Sequence, residues 1–260
     1  MIPGREVNMH KRIREILPVL CLASSVAWAQ SAFIGSWKLD PLKSRMPDEM
    51  KVQAKSGNTY VFDFGGGPET IVVDGTDQAG LDNTLLSVSA LAPDNWIVKR
   101  KKSGRLWIEA TWKVSSDART LTDSYRQFEP DGSTMGMDYV YQRVGEGSGF
   151  AADWQSTRET MNSPFVLEVK AFEGDGLSFA SPLGTTNATL DDEAHPHDGP
   201  NANPKSFRRV DDRTLVVTIK QGGKVAATED VVLSNDRKNL TMTVRVVGRD
   251  RPTVLVFERK

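Results

Sequence analysis

The chain is nearly devoid of cysteine and histidine, the side chains on which thiol catalysis and most transition-metal sites depend. Its 260 residues include one cysteine, Cys21, and three histidines, His10, His195 and His197. Cys21 and His10 fall in an N-terminal stretch that reads as a leader, so the remaining chain has no thiol. Disulfides and thiol catalysis are excluded, and the fold must rest on its core alone. An excess of charge is also lacking: 33 Lys and Arg face 34 Asp and Glu. Taking the leader's Arg5, Lys11, Arg12 and Arg14 from the first count and Glu6 and Glu15 from the second leaves 29 against 32. That balance gives no electrostatic footprint for nucleic acid. Sustained 3.6-residue periodicity is missing beyond the leader, as are nucleophile-elbow, zinc-protease and dinucleotide-binding motifs. Gly65-Gly66-Gly67 is followed by neither a helix pattern nor a Lys-Ser/Thr pair, and reads as a turn.

The leader itself is well formed. Basic residues at Lys11, Arg12 and Arg14 precede an apolar run from Ile16 to Ala29 that ends in Ala27-Trp28-Ala29, the anatomy of a secretory signal cleaved after Ala29. The run is too short for a membrane span. A start at Met9 instead of Met1 would put the basic residues at the very N-terminus. Leu20, where a lipoprotein signal would want a small residue, stands before Cys21, which argues against a lipid anchor. The expected location is secreted or periplasmic, with no stable membrane insertion after cleavage.

What fills the rest is short alternating runs between turn residues: "TYVFDF", "TIVVDG", "LLSVSAL", "WIVKRK", "LWIEATWKV", "MDYVYQR". Such spacing predicts an all-β sandwich or barrel. The runs also repeat. "WIVKRKKSGRLWIEATWKVSSDARTLT", from Trp96, aligns without a gap on "LVVTIKQGGKVAATEDVVLSNDRKNLT", from Leu215, matching Gly104 to Gly223, Asp117 to Asp236 and Leu121 to Leu240. "FIGSWKLD" at Phe33 returns as "FAADWQST" at Phe150, and "DYVYQR" ending at Arg143 returns as "VLVFER" ending at Arg259. The expected organisation is a signal peptide (1–29), one barrel over 30–145, a flexible Gly/Ser linker over 146–149 and a second barrel over 150–260.

Each copy opens on a Trp and closes on an Arg. If the first and last strands of a copy become neighbours as its sheet closes, Trp37 meets Arg143 and Trp154 meets Arg259. A guanidinium over an indole then plugs one end of each barrel, and closure removes the exposed edges. On these residues the chain resembles the lipocalins and their calycin relatives, through Gly35-Ser36-Trp37 and the closing Arg. More closely, "FIGSWKLDPLKSR" with "VSSDARTLT" and "YVYQR" resembles the lipocalin-like domains of secreted bacterial proteins that begin Gly-x-Trp-x-Leu-x-x-x-Lys-Ser. The second copy departs from the signature, reading Ala152-Asp153-Trp154. The resemblance implies two tandem antiparallel up-and-down β-barrels, each of about eight to ten strands, that bind small apolar molecules, and it supplies no catalytic residues.

Period two assigns the faces. Leu106, Ile108, Ala110, Trp112 and Val114 share one face, opposite Trp107, Glu109, Thr111 and Lys113. In the second copy Val225, Ala227, Val231 and Leu233 lie together with Glu229, the one acid that alternation puts on a buried face. The expected ligand-lining residues are Ile108, Trp112 and Tyr125 in the first copy and Val217, Glu229, Val231 and Met242 in the second. The expected role is to bind or carry a small apolar or amphipathic molecule, with no cofactor. The alternative is a non-catalytic structural or interaction module of the bacterial cell envelope, for which an exposed Trp107 would serve a protein or polysaccharide partner. No enzymatic activity is expected; an isomerase-like reaction in a barrel cavity would need an acid/base pair that the scattered carboxylates do not offer. His195 and His197, in "LDDEAHPHDGPNANP", are weak metal-ligand candidates in a stretch that reads as a solvated loop. The basic run Lys99 to Lys102 with Arg105 reads as a hairpin tip charged for solubility.

Overall fold

A computed structural model describes residues 31–129, 132–198 and 203–260. The leader, Cys21, His10 and the cleavage point after Ala29 lie outside the described residues. The chain is all-β, with two nearly closed antiparallel barrel-like sheets of 10 and 11 strands. In chain order the first copy contributes β1 (Gly35–Leu39), β2 (Glu49–Ala54), β3 (Thr59–Asp63), β4 (Pro68–Val72), β5 (Gln78–Ala79), β6 (Thr84–Ala92), β7 (Asn95–Lys102), β8 (Arg105–Val114), β9 (Thr120–Phe128) and β10 (Thr134–Ser148). The second contributes β11 (Ala151–Met161), β12 (Val166–Phe172), β13 (Gly176–Ser181), β14 (Gly184–Ala188), β15 (Asp191–His195), β16 (His197–Asp198), β17 (Lys205–Arg209), β18 (Thr214–Gln221), β19 (Lys224–Leu233), β20 (Asn239–Val246) and β21 (Thr253–Arg259).

The copies exchange their first strands. β11 lies between β10 and β2 in the 10-stranded sheet, which we term barrel 1, while β1 lies between β21 and β12 in the 11-stranded sheet, barrel 2. The division of the sequence at 145–150 therefore separates the two copies but not the two sheets. The cause is local. The Gly145–Gly149 run, expected as a flexible linker, is instead strand and turn: β10 runs on to Ser148, which pairs with Ala151 as β11 folds straight back. So tight a hairpin can deliver β11 only to the barrel that β10 already occupies. β1 then takes the vacated place in barrel 2, and the chain crosses between barrels at residues 40–48 and again at 162–165.

Two separate cores result. Barrel 1 encloses Phe62, Ile71, Leu86, Trp96, Trp112 and Trp154; barrel 2 encloses Trp37, Val169, Leu177, Phe207, Leu215 and Phe257. The duplication persists in fine detail. Arg100 pairs with Ile108 and Lys101 with Leu106, leaving Trp107 as a bulged extra residue; Ile219 pairs with Ala227 and Lys220 with Val225, leaving Ala226 at the equivalent place. Ser115 and Ser234 each donate to the Asp two residues on, at 2.6 Å, closing identical turns around left-handed Ala118 and Arg237.

The "LDDEAHPHDG" stretch, expected as a loop, forms β15 and β16. β15 pairs with β17 at one edge of the barrel 2 sheet and β16 with β14 at the other, so residues 191–198 clasp the open seam. Pro196 separates the two strands, a suitable place for a residue that cannot donate to a ladder. Barrel 1 closes its seam with a side chain: the Gln78 amide accepts from Val72 N and donates to Val72 O, both at 2.8 Å.

Candidate functional site

The opening Phe and Trp of each copy form one device. Trp37 donates its indole N–H to the Phe33 carbonyl at 2.9 Å, and Trp154 donates to Phe150 at 3.0 Å. Because β1 and β11 are exchanged, the closing arginines are exchanged as well. Arg259 lies over Trp37, 4.1 Å from the ring centroid, and Arg143 over Trp154, 4.8 Å away. The expected partners, Trp37 with Arg143 and Trp154 with Arg259, are corrected accordingly. Each guanidinium also donates to three backbone carbonyls, Arg259 to Arg237, Ile34 and Ala32, and Arg143 to Ala118, Ala151 and Gly149. These residues seal barrel ends; they line neither cavity.

The other ends hold the space. A cavity of about 840 Å³ occupies barrel 2 and reaches barrel 1 through Phe64, Trp107, Ile108 and Tyr125. A second, of about 290 Å³, lies inside barrel 1. Phe64, Ile108 and Tyr125 line both, so the two spaces meet at these side chains. The structure places Val217, Glu229, Val231 and Met242 on the larger cavity, Trp112 on the smaller, and Ile108 and Tyr125 on both. Alternation brought these residues to cavity walls because the strands carrying them keep one face inward over most of their length. Trp107 is the exception: the bulge turns it partly inward, where it lines the larger cavity, half-buried, with the Lys102 ammonium 5.1 Å from its ring. It is not the exposed aromatic that strict alternation predicts.

The walls differ in character. Barrel 2 offers Phe179, Phe207, Val217, Val231 and Leu255, with Glu229 as a buried acid whose Oε1 lies 3.7 Å from Lys205 Nζ. Barrel 1 is polar at its heart. Asp123, on β9, is buried; the loss of solvation pushes its carboxyl up to about 7, the nearby carboxylates of Asp48 and Asp138 add to the rise, and the Trp112 indole and Arg126 oppose it. Although the Trp112 N–H faces this carboxyl closely enough to favour its anion, it is not in hydrogen-bonding geometry. Trp112 Nε1 and Asp123 Oδ1 are both buried without a hydrogen-bond partner among the described residues.

Asp48 accepts from the Tyr141 hydroxyl at 2.8 Å, and burial raises its carboxyl also, against the pull of Tyr141 and Arg249. Burial, reinforced by the adjacent aspartates, keeps the phenols of Tyr125, Tyr139 and Tyr141 well above their usual range and therefore protonated. Arg100 from β7 reaches inward to Glu69, with Nη1–Oε1 2.9 Å and Nη2–Oε2 2.6 Å, so the guanidinium charge is already matched.

Sequence reasoning missed this cluster. Glu229 is not the one inward acid: Asp123 and Glu69 are buried too, and Asp48 faces the barrel 1 cavity. The available cue was on β9 itself, where Leu121, Asp123, Tyr125 and Gln127 share a face. Nor is the basic run a uniformly solvated tip: Lys99 pairs with Glu109 and Lys101 with Asp77, while Arg100 is withdrawn into the barrel.

The two histidines diverge. His195 Nε2 lies 3.1 Å from Asp191 Oδ1, and His197 Nδ1 lies 2.8 Å from Thr186 Oγ1 on the far side of the clasp, its imidazole pKa lowered by burial. Among the described residues no group of three or more His, Cys, Asp or Glu is placed to hold a metal ion. No protein-family model matches the chain, and no curated protein matches it in sequence.

Proposed function

We propose that the protein is a lipocalin-like binder of a small apolar or amphipathic molecule, acting in the periplasm or outside the cell after its leader is removed. The observation that carries this reading is the cavity of about 840 Å³ walled mainly by hydrocarbon and aromatic side chains. Pockets of some 300–1,000 Å³ with an apolar wall and a few placed polar groups are where small ligands are held. Burial of the ligand's apolar surface drives binding, and the buried acids fix its orientation. The leader anatomy and the Gly-x-Trp opening support the same reading.

The test uses the chain from Gln30 onward with N-phenyl-1-naphthylamine, a neutral apolar probe whose fluorescence rises in a dry site. Saturable enhancement is expected, together with a rise in melting temperature. At a hundredfold excess over Kd, mass action stabilises the folded state by about 2.7 kcal/mol. A cooperatively melting protein that neither enhances the probe nor gains stability from it would overturn the reading.

A further inference from the structure

Because β7 to β10 repeat in β18 to β21 with the same registers, each wall position on these strands of one barrel has a counterpart in the other. Trp112 pairs with Asp123 in barrel 1 as Val231 pairs with Met242 in barrel 2. Across the next ladder Asp123 pairs with Tyr139, as Met242 does with Leu255, and Leu121 pairs with Tyr141, as Leu240 does with Phe257. Tyr125 corresponds to Val244 and Arg100 to Ile219 by the same registers. Leu121 and Leu240 are the same residue; at each of the remaining positions barrel 1 carries a polar group and barrel 2 an apolar one. Glu229, where barrel 1 has Ala110, runs the other way, but it has a counter-charge in Lys205.

Within the polar set, two atoms have nothing to bond. Trp112 Nε1 can only donate, and Asp123 Oδ1 belongs to a carboxyl that accepts when ionised; they face the same cavity from neighbouring strands. While Asp123 is ionised, a group that satisfies both must accept one hydrogen bond and donate another, and the smallest such group is a hydroxyl. A carboxylate would stand beside Asp48 and Asp123, and the guanidiniums around them are already engaged: Arg100 by Glu69 at both nitrogens, Arg249 by Asp48 and Arg126 by Asp138. An ammonium would satisfy the acids but leave the indole N–H facing a cation.

We propose that the ligand is an uncharged alcohol whose hydroxyl lies between Trp112 and Asp123 in barrel 1, while its hydrocarbon passes Phe64, Ile108 and Tyr125 into the cavity of barrel 2. This rests on the reading of that cavity as a binding site and assigns the two barrels different halves of one molecule. Trp112 and Asp123 act as the selectors of the head group.

The experiment measures displacement of N-phenyl-1-naphthylamine at pH 8.5, where the Asp123 carboxyl is ionised, by four twelve-carbon competitors: 1-dodecanol, dodecanoate, dodecylammonium and 1-methoxydodecane, which accepts but cannot donate. Dodecanol is expected to displace the probe at least tenfold more effectively than each of the others. Asp123→Leu and, independently, Trp112→Phe should bring dodecanol down to the level of the ether, the competitors being ranked in each variant against that variant's own probe affinity. If Asp123→Leu does not fold, Trp112→Phe, which keeps an aromatic ring in the core, carries the test. Equal or better displacement by the acid, the amine or the ether, or an alcohol preference that survives these substitutions, overturns the head-group assignment and leaves the cavity reading standing. Failure of the probe and all four competitors to bind overturns both.

Discussion

Asp123 keeps a titratable carboxyl in a wall shared with Asp48, Trp112, Tyr125 and Tyr139, and feels the charges of Asp138 and Arg126, which pair with each other at 3.4 Å. With its carboxyl pushed up to about 7 in the folded chain and an ordinary aspartate value of 3.8 when unfolded, the folded state holds the extra proton between those limits. Stability from this group is thus complete at low pH and is lost as pH rises towards 7. A difference of that size corresponds to on the order of 2–4 kcal/mol. Asp123→Asn, which cannot ionise, should melt at least about 4 °C above the parent at pH 8 and within about two degrees of it at pH 4; parallel thermal melts at the two pH values check this. Alternation in the sequence gave the inward face on which Asp123 lies. What it could not give was the company: Asp48, just ahead of β2, comes from far earlier in the chain, and the cost of an acid depends on what surrounds it. Trp37 was easier to place, because a large aromatic opening a strand is buried under almost any closure, but its arginine depended on which barrel the strand joined.

The hairpin from β10 to β11 shows how an element can be misjudged from composition. Gly145, Gly147 and Gly149 have the composition of a loose linker, and only pairing to residues that follow makes the first two strand and the third a tight turn. Gly147 is the position where this matters most: a Cβ there would stand 2.3 Å from the Ala151 carbonyl and 2.4 Å from Arg143 Nη1. Gly149, with φ +53°, has open space around it. Gly147→Ala should therefore destabilise by roughly 2 kcal/mol or more, since it opens the hairpin and disturbs the arginine over Trp154, while Gly149→Ala costs only about 1 kcal/mol of backbone strain. The order of the two midpoints in urea unfolding tests this, and equal midpoints would mean that the hairpin tolerates the clash. Trp107 illustrates the same limit. Strict period two put it outside, and the bulge that turns it inward arises in the pairing of β7 with β8.

At the scale of the whole molecule, the repeat, the all-β class and the two barrels were legible because hydrophobic alternation and turn chemistry are local. The exchange of β1 and β11 was not, since a strand's own residues fit either barrel equally: both present a buried Trp beneath an Arg. Each barrel consequently contains a strand from the other copy, and Arg249 and Arg251 of barrel 2 further contact Asp48, Glu49 and Ser156. Neither half is complete without the other. Calorimetry should show a single transition, with calorimetric and van't Hoff enthalpies agreeing, where tandem independent barrels would give two. A fragment of residues 31–148 should not reach a cooperatively folded monomer, as it lacks the strand that closes β2 against β10. The exchange also sets a timetable. β1 precedes every other described strand, yet its two neighbours are β12 and β21, the latter last of all. During synthesis, barrel 2 cannot seal until β21 has emerged, so β1 must wait for nearly all the strands that follow it before both its edges are paired.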